Sequence, residues 1–295
     1  MASHDSSPPR QDQPVHRPSP GNPVPPAERV TTKRGRALGL GFASVAETYD
    51  RVRPGYPDQL FDDIIAYAQL DRPPMVLEVG CGTGKATVPM AKHGWVITGV
   101  EPGTGMAIVA RRHLAQYPDV RVIGSTFEAV ELNPGTFDIV CAATAWHWID
   151  PAVGLRKVHE FLRPGGVIAL FHHAQVRGET QPDFFVESRD IYERITNLWD
   201  PDPGAWRHEV PDPHGDSMRA SGLFADIVSL QYDFDQVYDA DSYALQLRTY
   251  SGVIALAEEK REQLIAELCD LIRTDFGGRL LRPLVVKLAL GRKFR

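Results

Sequence analysis

Val76-Leu77-Glu78-Val79-Gly80-Cys81-Gly82-Thr83-Gly84 is the stretch on which the fold turns. An apolar run of strand length passes through three alternate glycines into a segment of helical spacing. Glycine is required in such a turn because the chain needs backbone angles that side chains forbid, and because a ligand must come close to the main chain. The helix N-terminus that follows offers free N–H groups. In open α/β sheets this crevice, beyond the C-terminal strand ends, is where ligands bind. The spacing separates three ligand classes. A phosphate-binding P-loop needs GxxxxGK followed by Ser or Thr. Gly84-Lys85 supplies the GK, but the first glycine would fall on Val79 and the hydroxyl on Ala86. A dinucleotide fingerprint starting at Gly80 needs glycine where Lys85 stands. What remains is Glu78-x-Gly80-x-Gly82-x-Gly84.

Working outward, the next strand, Trp95–Val100, ends at Glu101-Pro102. A carboxylate about 20 residues past the first glycine is placed to accept hydrogen bonds from ribose hydroxyls. That supports a nucleoside ligand without choosing among nucleosides. Further alternation follows: helix Gly84–Lys92, helix Gly105–Tyr117, strand Val120–Ile123, strand Phe137–Ala142, helix Pro151–Leu162 closed by Arg163-Pro164-Gly165-Gly166, and strand Val167–Phe171. Strands apolar throughout, alternating with helices, predict a mostly parallel sheet covered on both faces. Upstream, Leu60, Phe61, Ile64, Ile65 and Ala68 mark an amphipathic helix. Downstream, Phe184–Leu198 reads as a helix and Asp200–Asp216 as a polar stretch rich in Pro, Asp and Gly. Phe224–Phe234 reads as an edge strand, Leu256–Phe276 as a long helix before Gly277-Gly278, and Leu284–Leu290 as a last β-compatible run. The late elements are expected to cap the binding face.

Residues 1–38 differ from all that follows. Eight prolines occur by Pro26, with almost no large apolar side chains, so this stretch is expected to be a disordered tail. Residues 39–295 are expected to form one domain, with its core at about 75–175 and its cap at about 176–295. The net charge of -6 argues against a nucleic-acid partner. No apolar run reaches the roughly 18 residues of a membrane span. Cys81, Cys141 and Cys269 form no CxxC pair, which points to a reducing, cytoplasmic setting and against a zinc site.

On these residues the chain resembles the class I S-adenosylmethionine (SAM)-dependent methyltransferases, in particular the small-molecule group that includes trans-aconitate methyltransferase-like proteins. The likeness is carried by Tyr49-Asp50, Arg53-Pro54-Gly55-Tyr56-Pro57, Glu78 to Gly84, Glu101-Pro102 and Phe127-Glu128. Phe137-Asp138, Ala145-Trp146-His147-Trp148-Ile149-Asp150 and Leu162 to Gly166 extend it, and Thr249-Tyr250-Ser251-Gly252 continues it more loosely. The resemblance implies a Rossmann-like α/β fold: seven strands, mostly parallel, with an antiparallel last strand supplied by Leu284–Leu290. It implies SAM as cofactor, S-adenosylhomocysteine as product and a small-molecule methyl acceptor. By motif position, Glu78, Gly80, Cys81, Gly82 and Gly84 would hold the methionine part, and Glu101 with Pro102 the ribose. Thr126 and Phe127 would flank the adenine, with Ala143 at the end of the fourth strand. Where many relatives carry a polar amide before the Ala-Trp-His-Trp run, this chain has Thr144.

Methyl transfer from a sulfonium is an in-line displacement that needs alignment and exclusion of water rather than a covalent enzyme intermediate. Aromatic faces suit a methylsulfonium, so Tyr49, Tyr56, Trp146 and Trp148 are candidates, each also readable as packing. His147, just past strand four, and Tyr49, which the family packs over the cofactor, are the catalytic candidates. A neutral imidazole at 147 would deprotonate a hydroxyl; a hydrogen-bonded turn histidine is the plainer reading. Arg53, Trp146, His172 and Tyr250 are candidate substrate-lining residues, and His173 adjoins them. A nicotinamide oxidoreductase and a non-catalytic SAM-binding protein remain as competing readings.

Overall fold

The computed structural model describes residues 45–178, 182–196 and 205–294. The tail read over 1–38, and the end of the helix read to Leu198, lie outside the described residues. In chain order the structure runs α1 (Ala46–Val52), α2 (Asp58–Ala68), β1 (Met75–Val79), α3 (Thr87–Lys92), β2 (Val96–Val100), α4 (Thr104–Leu114), β3 (Val120–Ile123) and β4 (Phe137–Ala143). It continues with α5 (Gly154–Phe161), β5 (Leu162–Gln175), α6 (Phe184–Glu187), α7 (Arg189–Ile195), α8 (Pro213–Ser221), β6 (Phe224–Asp239), α9 (Ala240–Leu247), α10 (Ser251–Ile254), α11 (Glu258–Asp275) and β7 (Arg279–Lys293).

The strands form one seven-stranded sheet ordered β3-β2-β1-β4-β5-β7-β6. The first five run parallel, and β7 is antiparallel to both β5 and β6. This is the Rossmann-like arrangement with a reversed last strand. Alternation in the buried strands fills both faces. Ile139, Cys141, Val167, Ala169 and Phe171 join Leu60, Phe61 and Ile64 of α2 and Ala110 and Leu114 of α4 in one core. Val140, Ala142, Ile168 and Leu170 face the other way, onto Val158 and Phe161 of α5 and Met218 of α8. A third cluster, around Phe184, Tyr243, Leu264, Leu268 and Leu280, is the core of the helical cap.

Four sequence readings need correction. Strand five is longer than Val167–Phe171: Arg163 to Gly166 belong to it, because Gly165 at φ 76 takes up a register shift between the Phe137↔Leu162 and Ile139↔Val167 pairs. At its other end it runs on through His172 and His173 to Gln175, where β7 supplies partners down to Leu284. The Phe184 helix is interrupted at Ser188, giving two short helices. The polar stretch to Asp216 ends in the first turn of a helix. Asp212 caps α8 by accepting from the Gly215 N–H, Pro213 sits in its first turn, and Gly222 at φ 65 ends it. The outermost pair, β6–β7, is also longer than its apolar runs. It continues past the end of β5, from Asp235↔Pro283 to Asp239↔Arg279, and this overhang carries the cap over the strand ends.

Candidate active site

A cavity of about 460 Å3 lies over the C-terminal ends of β1, β2, β4 and β5. One wall is the loop after β1. Gly80, Gly82 and Gly84 all take left-handed backbone angles, at φ 68, 55 and 92. The three do different work. A Cβ on Gly80 would sit 2.6 Å from the Ala145 Cβ, so that glycine lets the β1 and β4 loops meet. A Cβ on Gly82 would meet nothing within 4 Å, because it would project into the cavity. Gly84 does not line the cavity; a Cβ there would touch Val88 and Ala110, so it serves the packing of the loop on α4.

Two carboxylates frame this loop. Glu101 is only 8% exposed; its Oε2 accepts from the Gly82 N–H at 2.9 Å and its Oε1 from the Gly103 N–H at 2.7 Å. Burial raises its pKa, and the two backbone bonds hold it down in part. Glu78 is 1% exposed, accepts from the Thr87 hydroxyl at 2.6 Å, and is pushed up to about 8 by burial, with the Glu101 charge adding to the shift. Thr83, beside them, has a buried hydroxyl with no partner among the described residues. Two buried carboxylates, an orphaned hydroxyl and an open position at Gly82 make a donor set that fits a cationic, hydroxyl-bearing ligand such as SAM. Cys81, Pro102, Thr126, Phe127 and Ala143 complete this side of the wall.

The middle of the cavity holds histidines and aromatics. Trp146, His147 and Trp148 form a 3-10 turn after β4, entered through Thr144 at φ 52. The Thr144 hydroxyl bonds the Tyr56 hydroxyl at 2.8 Å. Tyr56 in turn stacks on His173, whose Nε2 bonds the Gly55 carbonyl at 2.9 Å. His172, with Nδ1 buried and without a partner among the described residues, meets His214 of α8 edge-on, their rings 4.7 Å apart. Burial lowers all four imidazoles, to about 4 for His147, about 3 for His172 and about 4 for His173 and His214. The site histidines are therefore uncharged at neutral pH.

On the cap side, Arg53 donates to the Thr249 hydroxyl at 2.9 Å and carbonyl at 3.0 Å, with its guanidinium over the rings of Tyr49 and Tyr250. Apart from Gly84, every residue singled out from the sequence lies on this one cavity wall. The structure adds Thr83, His214, Gln175, Gln246, Tyr238, Tyr243 and Arg282, which the sequence reading passed over. One of these carried a signal. Arg282 stands between Leu280 and Leu284 on the inward face of an alternating strand, where an apolar residue is expected.

Comparison with known proteins follows the same outline. Residues 77–170 match the family model described as a methyltransferase domain. An uncharacterised methyltransferase of Mycobacterium tuberculosis strain H37Rv is 37% identical over 135 residues, covering 46% of this chain and 53% of that one. A Saccharomyces cerevisiae protein designated a candidate S-adenosylmethionine-dependent methyltransferase is 29% identical over 150 residues, 49% of each chain. The chain thus spans about half the length of these curated relatives. Among solved structures, a candidate type II methyltransferase from Anaeromyxobacter dehalogenans superposes with a TM-score of 0.57 at 23% identity, covering 82% of this chain and 97% of that one. No helix among the described residues is long and apolar enough to cross a membrane. With the reversed seventh strand, the glycine loop and the carboxylate at the end of β2 in place, residues 77–170 match a methyltransferase domain set in a sheet of the class I SAM-dependent arrangement.

Proposed function

We propose that this protein transfers the methyl group of SAM to an oxygen of a small-molecule acceptor. The observation that carries the reading is the continuity of one cavity from the glycine loop and its two carboxylates to the His147 turn and the cap. When bound, SAM supplies an activated methyl group whose sulfonium leaves as a neutral thioether. The residues do the rest. The open position at Gly82 admits the methionine chain, Glu101 accepts from ribose hydroxyls, and Thr126 and Phe127 flank the adenine. Glu78, proton-bearing in the free protein, becomes a counter-charge when a cation approaches. Tyr49, Tyr56 and Trp146 exclude water and present aromatic faces to positive charge. An acceptor oxygen attacks the methyl carbon opposite sulfur as the carbon–sulfur bond breaks, which requires alignment above all.

His147 faces that space uncharged. An imidazole lowered to about 4 is a weak base, so it takes a proton poorly from an alcohol and serves better to orient an oxygen that is already ionised. This favours an acidic acceptor. The three free, buried cysteines fit a reducing cytoplasm. Calorimetric titration with SAM, S-adenosylhomocysteine and NAD tests the cofactor. Transfer of a labelled SAM methyl across an acceptor library tests the reaction. Tighter NAD than SAM binding would install an oxidoreductase instead; SAM binding with no transfer to any acceptor would install a binding protein.

A further inference from the structure

The cavity wall is electrically lopsided. Its carboxylates are Glu78 of β1, and Glu101 and Glu128 from the loops after β2 and β3, on the side where Lys85 also stands. The cap side contributes none, yet it contains Arg282, only 7% exposed. Among the described residues no carboxylate pairs with this guanidinium. Its hydrogen bond goes to the Gln175 Oε1 at 2.5 Å, and its flat faces rest near Phe184 and Phe185 at 5.1 and 4.8 Å from the ring centroids. A guanidinium carries five N–H donors and stays charged in any protein. A buried charge is normally paired, because leaving it unpaired is expensive.

The neighbours of Arg282 are turned to help an anion. Because Gln175 gives its oxygen to Arg282, its nitrogen points to the Tyr250 hydroxyl oxygen, at 3.3 Å. The Tyr250 oxygen accepts from this nitrogen and, at 3.2 Å, from the Gln246 amide nitrogen, so its proton is left to donate. Arg53 lies over the ring of that same tyrosine, 4.4 Å from its centroid, and adds a second positive charge nearby. The backbone holds the arrangement firmly. Arg282 sits on the β6–β7 overhang opposite Gln236, two positions past the last β5 pair at Gln175↔Leu284.

Resting on the methyltransferase reading above, we propose that the cap end of the cavity is an acceptor subsite for a carboxylate, with Arg282 as its bidentate anchor and Tyr250 as a supporting donor. The acceptor would then be a small organic acid held by this anionic group at the cap. A planar carboxylate matches one arginine fork and one hydroxyl.

The test uses the full chain saturated with S-adenosylhomocysteine and paired probes of one carbon skeleton: hexanoate with hexanamide, and phenylacetate with phenylacetamide. Calorimetry is expected to show each carboxylate binding at least tenfold more tightly than its amide. Arg282→Met should erase that preference while leaving S-adenosylhomocysteine affinity within twofold. Arg282→Lys, which keeps the charge but not the fork, should retain part of it. Equal binding of acid and amide, or failure of both carboxylates to bind the wild type, overturns the subsite. A preference that survives in a folded Arg282→Met overturns the anchor. Loss of S-adenosylhomocysteine affinity in both folded variants would assign Arg282 to the cofactor carboxylate instead and also overturns the proposal. Absence of S-adenosylhomocysteine binding by the wild type would refute the methyltransferase reading itself, which is a separate outcome.

Discussion

Replacing Glu101 by alanine is the most direct probe of the cofactor side. In the free protein each carboxylate oxygen is already tied to one backbone N–H, at 2.9 and 2.7 Å, so the side chain is fixed before any ligand arrives. Each oxygen keeps a further lone pair, and a ribose diol supplies two donors for them. Hydrogen bonds to a charged group contribute about 1.5–3 kcal/mol each, and water entering the alanine site restores part of that, so a net loss of about 2 kcal/mol is expected. At about 1.4 kcal/mol per decade, SAM binding should weaken roughly 30-fold. Glu101→Gln should fall between the two. It keeps one acceptor, but its NH2 must face either the Gly82 or the Gly103 N–H, and one of those bonds is lost. Calorimetry at fixed pH and salt measures the effect, with thermal unfolding as the control for a loosened loop. Because burial raises the pKa of Glu101, wild-type affinity should begin to fall on acidification while ordinary glutamates are still ionised. A folded Glu101→Ala with wild-type affinity would refute the reasoning.

Three further outcomes are expected. Gly82→Val should remain folded, with a backbone penalty of roughly 1–2 kcal/mol, yet bind no SAM; Gly80→Ala should instead lose stability, because its Cβ would collide with Ala145. Melting temperatures and titrations on the pair would contradict this if the two phenotypes were exchanged. Glu78 binds its proton more tightly folded than unfolded, so the free protein should lose stability as pH rises from 4.5 to about 8. Glu78→Gln should flatten that slope, and a slope unchanged in the variant would remove Glu78 as its source. His147→Ala should keep SAM affinity within about threefold while turnover on an identified acceptor drops roughly tenfold or more. Any acidic limb in the wild-type rate profile that depends on this residue should lie near pH 4 rather than 6.5. Unaltered turnover would make His147 a bystander.

The parts of the fold legible in the sequence are those whose residues answer to one local rule. Strands β1, β2 and β4 are buried along most of their length, so apolar residues dominate them, and the glycine loop announces itself by spacing. The ends of β5, β6 and β7 were not legible for the opposite reason. His172, His173 and Gln175 extend β5 only because β7 pairs with them from far along the chain. Helix α8 was missed although Asp212-Pro213 and Gly222 frame it, since its body, His214 to Ser221, is mostly polar and small. On the site, Glu101 and the loop follow from position in a strand, whereas His214, Gln246 and Tyr243 reach the cavity through the cap, which no local pattern encodes.

The antiparallel seam between β5 and β7 has a consequence for how the protein breathes. Nine successive pairs, from Val167↔Arg292 to Gln175↔Leu284, join the sheet core to the strand that bears the lid. The same β7 bonds backward to the bottom of the sheet, where Lys293 donates to the His159 and Leu162 carbonyls. Lid and core therefore share one strut, and the lid side of the cavity is not a separable foldon that can melt while the sheet persists. Amide protons of Leu284 to Val286 and of Ile168 to Ala174 should therefore fall in one exchange class. The cavity keeps its cap wall for as long as the sheet itself survives.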